Sequence, residues 1–138
     1  MKDAVEILQK EHKTLIEAIE FAQVVQKISD DTQYRELMHD LIMFFRNYTE
    51  YFHHPKEENV FFPLLRNKTK NMSDAFIHEV CDNHEDFKSY IADMEIYYVE
   101  QNIRMLRKTM ATYLKEYKQH VLRENKIVLS QVKKLLSE

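Results

Sequence analysis

Apolar residues recur at spacings of three and four along four long segments of the chain. In the first segment, for example, Val5, Leu8 and Ile19 share one face. Such spacing is typical of helices that pack one face into a core and leave the other in water. The pattern predicts four amphipathic helices, over residues 2–28, 32–65, 73–99 and 102–136.

Short polar links separate the four segments. Residues 29–32 and 67–72 contain turn-forming residues, and Ser73 is the predicted N-cap of the third helix. The chain contains no glycine, which many β-turns require, so helices are favoured over sheet. Because short links place consecutive helices antiparallel, we predict an all-α fold. It is an up-down-up-down antiparallel four-helix bundle that forms a single domain over residues 1–138.

Polar residues lie on the apolar face of every segment. His12 and His84 occupy the first and third faces, and the second and fourth carry a histidine followed four residues later by a glutamate. The order His, then His-x-x-x-Glu, therefore occurs twice, and the two-helix unit looks duplicated. We expect an approximate two-fold axis in the bundle. The two pairs are His53 with Glu57 and His120 with Glu124.

These inward-facing histidines and glutamates indicate a metal site. Burying a polar group without a partner is costly, and coordination of an ion would satisfy all of them together. Residues four apart share a helix face, so each His-x-x-x-Glu pair can approach the same ion. Imidazole and carboxylate ligands suit iron, manganese or zinc, and glutamates on facing helices can bridge two ions.

The second segment admits two registers, because His53 and His54 are each followed by a glutamate four residues on. Backwards from His53 the same face is mainly apolar, whereas backwards from His54 it is polar. Forwards, Val60 and Leu64 extend the first face, but apolar residues also extend the second. Only the backward direction discriminates, and it places His53 and Glu57 in the site.

The neighbouring residues leave a second set of roles open. His54 lies about 100° round the helix from His53. Pro55 is expected to kink the helix by removing one backbone hydrogen bond, which would bring His54 towards the edge of the site as an extra ligand. Glu58 is expected to contact a ligand or to be solvated. Pro63 is expected to mark a second bend or the fraying end of the helix.

Composition narrows the classes of function. The net charge is −3, and lysine and arginine are spread along the chain, which gives no electrostatic support for nucleic-acid binding. The single cysteine, Cys81, excludes an internal disulfide. No apolar run approaches the roughly 18 residues of a membrane span, and the first residues do not form a signal peptide. We expect a cytoplasmic protein that binds neither nucleic acid nor membrane.

Four stretches match a known family pattern in order and span essentially the whole chain. They are Glu11-His12, His53-His54-x-Lys56-Glu57-Glu58-x-x-Phe61-Phe62-Pro63, His84 and His120-x-x-Arg123-Glu124-Asn125. At these residues the sequence resembles the hemerythrin-like, HHE cation-binding family. The resemblance implies a non-haem di-iron centre, with two Fe ions bridged by the two glutamates and an oxo or hydroxo group, and zinc or manganese less favoured. The implied metal ligands, with His54 as the open case, are His12, His53, His54, Glu57, His84, His120 and Glu124.

The third and fourth segments depart from oxygen-carrying hemerythrins, whose third helix places two histidines one turn apart. Here one turn before His84 is Val80 and one turn after it is Lys88. Their last helix has an aspartate five residues after its histidine, whereas Glu124 lies four residues after His120. The resemblance therefore favours the bacterial subgroup linked to iron handling, nitric oxide or peroxide chemistry and redox sensing.

Three functions are compatible with these residues. The first is a di-iron protein that binds or reduces a small oxidant such as O2, peroxide or NO, or handles iron. The second is an iron or redox sensor, or a binding module without turnover, working with a redox or regulatory protein partner. The third is a structural bundle with zinc or without metal. The residues do not decide between an enzyme and a sensor.

Overall fold

The computed structural model describes residues 2–69 and 73–137, with side chains for 3–67 and 73–131. They form four long helices: α1 (Lys2–Val25), α2 (residues 31–69), α3 (Asp74–Val99) and α4 (Ile103–Ser137). No strand occurs in this part of the chain. Both α1 and α3 pack against α2 and α4, so the predicted all-α four-helix bundle is confirmed. Among the described helices, none has the length and apolar character of a membrane span.

Side-chain caps begin the second and third helices. The Asp30 carboxylate accepts a hydrogen bond from the Gln33 N–H at 2.8 Å. The Ser73 hydroxyl accepts one from the Phe76 N–H at 3.1 Å, which confirms Ser73 as the N-cap. Each cap satisfies a backbone donor that the first helical turn leaves without a partner.

Two predicted helix ends differ from the structure. α1 ends at Val25 instead of residue 28, because the backbone closes a tighter turn in which the Ile28 N–H bonds the Val25 carbonyl at 3.0 Å. α2 continues past the predicted end at residue 65 to Thr69. Of the predicted link, residues 67–69 are therefore helical, and residues 70–72 lie outside the described residues.

The helix α2 is wider than an α-helix on both sides of Pro55. Residues Phe45–His53 and Glu57–Phe61 form π-helical turns, in which an N–H bonds the carbonyl five residues earlier. Pro55 itself lies in the short α-helical segment His54–Lys56. Proline lacks the N–H that would bond the Tyr51 carbonyl, so the predicted disturbance takes the form of wide turns in a continuous helix. The helix also continues past Pro63 and does not end there.

The second wide turn changes which residues of α2 face the core. Val60 is 61% exposed, whereas Phe62 is 1% exposed and Leu65 is fully buried. The prediction that Val60 extends the buried face is therefore wrong. Its physical reason is the turn at Glu57–Phe61, which takes one more residue than an α-helical turn and moves the buried face forward along the sequence.

Two apolar clusters fill the bundle. One includes Leu15, Phe45, Met94 and Tyr113. The other lies towards the opposite end and is formed by side chains of all four helices, Val5, Leu8, Phe61, Phe62, Leu65, Phe76, Val80 and Val128. The predicted metal-site residues occupy the sequence positions between these clusters, so apolar side chains shield them on both sides.

Replacing Phe62 with alanine is expected to lower the free energy of unfolding by about 3–5 kcal/mol, since it removes a buried ring. Val60→Ala is the matched control and should change it by less than about 0.5 kcal/mol, because that side chain is exposed. Urea unfolding followed by circular dichroism measures both changes. A larger loss for Val60→Ala than for Phe62→Ala would contradict the wide turn.

Candidate metal centre

Between the two apolar clusters lies a layer of buried imidazoles and carboxylates, which we call the donor layer. α1 and α3 each supply one histidine, α4 a His–Glu pair, and α2 two histidines and a glutamate. The members are His12, His53, His54, Glu57, His84, His120 and Glu124. None is more than 8% exposed. The structure thus brings together every residue that the sequence analysis placed in the site.

Glu57 lies at the centre of the donor layer. Its Oε1 is 3.3 Å from His53 Nε2 and 3.4 Å from His84 Nε2. Its Oε2 is 3.3 Å from His12 Nε2. Imidazoles from α1, α2 and α3 therefore converge on one carboxylate.

Glu124 forms the second carboxylate of the layer. Its Oε2 is 2.6 Å from His120 Nε2, and its Oε1 is 3.4 Å from His12 Nε2. The His12 ring nitrogen thus lies within 3.4 Å of both glutamates. Ligand atoms bound to one ion at about 2.1 Å lie about 3 Å from one another, so these spacings fit donors that share ions.

The donors fall into three overlapping groups, each with ligand atoms within 4.8 Å of one another. Glu57 belongs to two of the groups, and so does His84. These two shared residues join the three groups into one continuous set of donor side chains. The groups are His12, His53 and Glu57; His54, Glu57 and His84; and His84, His120 and Glu124.

Several donor atoms have no hydrogen-bond partner among the described residues. The 2.6 Å approach of His120 Nε2 to Glu124 Oε2, for example, lacks hydrogen-bond geometry. A buried polar atom without a partner costs about 1–3 kcal/mol, and native cores keep few of them. A bound cation would satisfy these atoms together. The donor atoms without a partner are Nε2 of His54, His84 and His120, Oε1 of Glu57 and both carboxylate oxygens of Glu124.

Burial and neighbouring charges shift the pKa of several members of the layer. Burial raises the pKa of Glu57, but neighbouring imidazoles, His53 foremost, outweigh burial and hold it well below its usual value. Burial, with His84 nearby, lowers the pKa of His120 to about 3. The same two causes hold the pKa of His54 well below its usual value. An ionised Glu57 and neutral His54 and His120 are forms that coordinate metal ions. Burial lowers the pKa of His53, but Glu57 and Glu11 outweigh burial and raise it, so a cation that binds His53 would displace a proton there.

Carboxylates hold the outer ring nitrogens of two histidines. His53 Nδ1 donates to Glu11 Oε1 at 2.9 Å, and His84 Nδ1 donates to Glu58 Oε1 at 3.0 Å. Lys56 Nζ donates to the other oxygen of Glu11 at 2.6 Å. A hydrogen bond at Nδ1 fixes the tautomer and turns Nε2 towards the layer, as metal-binding histidines require.

Asparagine amides occupy the same position at two other histidines. His12 Nδ1 donates to Asn125 Oδ1 at 2.5 Å. His120 Nδ1 lies 3.3 Å from the amide nitrogen of Asn83, and rotation of that amide by 180° presents its oxygen instead. Sequence analysis assigned no role to Glu11, Asn83 or Asn125. The signal that could have found them is their position, since each is adjacent to a predicted ligand of the repeat.

His54 differs from the other four histidines of the layer. Its ring stacks on His84, with centroids 3.6 Å apart and planes inclined by 9°. The backbone N–H of His54 bonds the Thr49 carbonyl, five residues back. In an α-helix His54 would point about 140° away from Thr49. The wide turn reduces this angle, so that His53 and His54 both lie on the buried side.

Aromatic rings of the first cluster close the layer on one side. The Tyr117 ring lies 5.6 Å from that of His54, and the Phe87 ring lies 5.2 Å from that of His120. Burial raises the pKa of Tyr117 well above its usual value, so the phenol stays protonated. Two histidines lie apart from the layer, because His39 and His78 are exposed.

The family model described as the hemerythrin HHE cation binding domain matches residues 3–132. The matched span contains all seven side chains of the donor layer and the four outer partners of its histidines. No curated protein and no solved structure matches the chain.

Proposed function

This chain belongs to the hemerythrin HHE cation-binding domain family, and on that premise we propose that it holds two iron ions and reacts with a small oxidant. O2, peroxide and NO are the candidate oxidants. The observation that carries the proposal is the donor layer, in which five buried imidazoles and two buried carboxylates converge. Its mixture of nitrogen and oxygen donors suits iron, and also zinc or manganese, which are outcomes of the test below.

The three donor groups suggest how the ligands divide between two ions. We assign His12 and His53 to one ion and His84 and His120 to the other, following the groups that bring them together. The two glutamates would bridge the ions, together with an oxo or hydroxo group. Glu57 supports this role because its two oxygens face histidines of both sets.

His54 is assigned to the ion of His84. The support is its buried Nε2, which has no hydrogen bond in the described part of the chain, and its grouping with Glu57 and His84. One ion would then have three imidazoles and the other two. The ion held by His12 and His53 would then have fewer imidazole ligands, which would leave room for a small ligand.

Bound iron would supply the electrons and the open position for an oxidant, and the chain supplies the surroundings. Nε2 atoms and carboxylate oxygens point into the layer, while Glu11, Glu58 and two asparagines hold the Nδ1 atoms outside it. The apolar clusters on both sides exclude water and disfavour loss of the ions.

A sensor of iron or of oxidation is the second candidate function. The observation that favours it is again His54, because a third imidazole on one ion leaves fewer positions for turnover. Loss of iron would leave buried donors without partners and destabilise the bundle. Adding peroxide or NO to the iron-loaded protein separates the two functions. Repeated turnover supports the reactive protein, and a single stoichiometric spectral change supports the sensor.

We expect aerobically prepared, iron-loaded protein to hold two iron ions per chain and to show near-ultraviolet bands of an oxo or hydroxo bridge. Glu57→Ala should abolish these bands and reduce the iron content, because it removes the carboxylate on which three imidazoles converge. Glu36→Ala, an exposed carboxylate of the same helix, is the matched control and should change neither. Metal analysis and absorption spectroscopy measure both quantities. A protein that takes up zinc or manganese instead of iron, or no metal, contradicts the proposal.

The role of His54 is tested by His54→Ala. We expect iron affinity to fall at least about 10-fold and azide to bind more tightly, because the substitution frees a coordination position. His39→Ala removes an exposed histidine of the same helix and should leave both unchanged. Iron titration and azide titration followed by absorption measure the effects. Wild-type values in His54→Ala would show that His54 is not a ligand.

A further inference from the structure

The outer partners of the histidines follow the repeat of the chain. The two halves of the repeat are α1 with α2 and α3 with α4. In each half, the residue before the layer histidine of the first helix contacts the histidine of the His-x-x-x-Glu pair on the second helix. In the first half Glu11 contacts His53, and in the second Asn83 contacts His120. The same sequence position therefore performs the same contact twice.

The second pair of contacts connects the halves. The residue after the glutamate of each His-x-x-x-Glu pair contacts a histidine of the other half: Glu58 contacts His84, and Asn125 contacts His12. The four contacts obey one two-fold rule, but the first half supplies carboxylates and the second half supplies amides. A carboxylate draws the Nδ1 proton more strongly than an amide and makes Nε2 a better electron donor to a metal.

The two carboxylates are not equivalent in charge. Glu11 is 10% exposed and its second oxygen bonds Lys56 Nζ at 2.6 Å, so the ammonium group neutralises it. Glu58 is 35% exposed and bonds His84. No lysine or arginine of the described side chains forms an ion pair with Glu58 within 4.0 Å. Glu58 also contacts the thiol of Cys81, whose pKa burial raises to about 11, so that it is uncharged. Water screens part of the Glu58 charge, but no cationic side chain among the described residues cancels it.

We propose that Glu11, Glu58, Asn83 and Asn125 are positioning residues, and that the uncompensated charge of Glu58 makes the ion beside His84 the more easily oxidised of the two. The inference rests on the proposed function, since it requires an iron pair in the donor layer. It adds an electronic difference between the ions to the one that the third imidazole, His54, would make.

The test is an oxidative titration of the iron-loaded full chain, with the two midpoint potentials and the iron content measured for each variant. Glu58→Gln keeps a hydrogen-bond acceptor for His84 but removes the charge, so it should raise the potential of the first oxidation step. Lys56→Met leaves the Glu11 charge uncompensated, so it should lower the potential of the second step. Both substitutions should therefore narrow the separation between the two midpoint potentials. Glu85→Gln, at a carboxylate 72% exposed and next to His84 in sequence, is the control and should leave the separation unchanged.

The positioning role has its own readout. Glu58→Leu removes the acceptor and should weaken iron binding about 10- to 100-fold, and Glu58→Gln should retain most of the wild-type affinity. Equal affinities for the two variants would contradict a role for the hydrogen bond.

The possible results separate the inference from the proposed function. If the ion of His53 were oxidised first, both charge substitutions would widen the separation instead of narrowing it. A widened or unchanged separation in protein that holds two iron ions overturns the inference and leaves the proposed function standing. Wild-type protein that holds no iron overturns both.

Discussion

The structure depends on one constraint, which is the burial of seven imidazole and carboxylate side chains in a single layer of the bundle. Each helix contributes to the layer, so no pair of helices could assemble it alone. The same constraint explains why polar side chains reach inwards a second time, to hold the outer nitrogens of the histidines. The apolar clusters above and below are then needed to stabilise a fold whose middle layer contributes little hydrophobic burial.

Much of this arrangement could be predicted from the sequence, because helical periodicity and residue type determine it locally. The four helices, the Ser73 cap and the inward direction of His12, His84 and His120 all follow from spacing on a regular helix. The prediction for Val60 was wrong because it also assumed regular α-helical turns, whereas Glu57–Phe61 forms a wide turn. Pro55 signalled a disturbance but not its form, since a missing N–H is compatible with a kink or with wide turns.

The outer partners could not be predicted from periodicity, because their contacts join different helices. Glu11 and Asn83 precede a ligand, and Glu58 and Asn125 follow one, which on a regular helix directs them away from the site. They reach the histidines because the neighbouring helix lies there. Such contacts depend on helix packing, which the order of apolar and polar residues does not specify. The repeat nevertheless contained the information, because each partner occurs at the same position in both halves.

The two halves of the chain share ligand positions but differ in what surrounds them. Where α2 has His54, α4 has Val121, which packs into an apolar cluster at 1% exposure. Where α2 has Pro55, α4 has Leu122, and the helix Ile103–Ser137 contains no wide turn. The extra imidazole, the wide turns and the charged outer partners all belong to the first half. A bundle with a nearly symmetric set of ligands therefore has an asymmetric environment, and α2 is the element in which that asymmetry is concentrated.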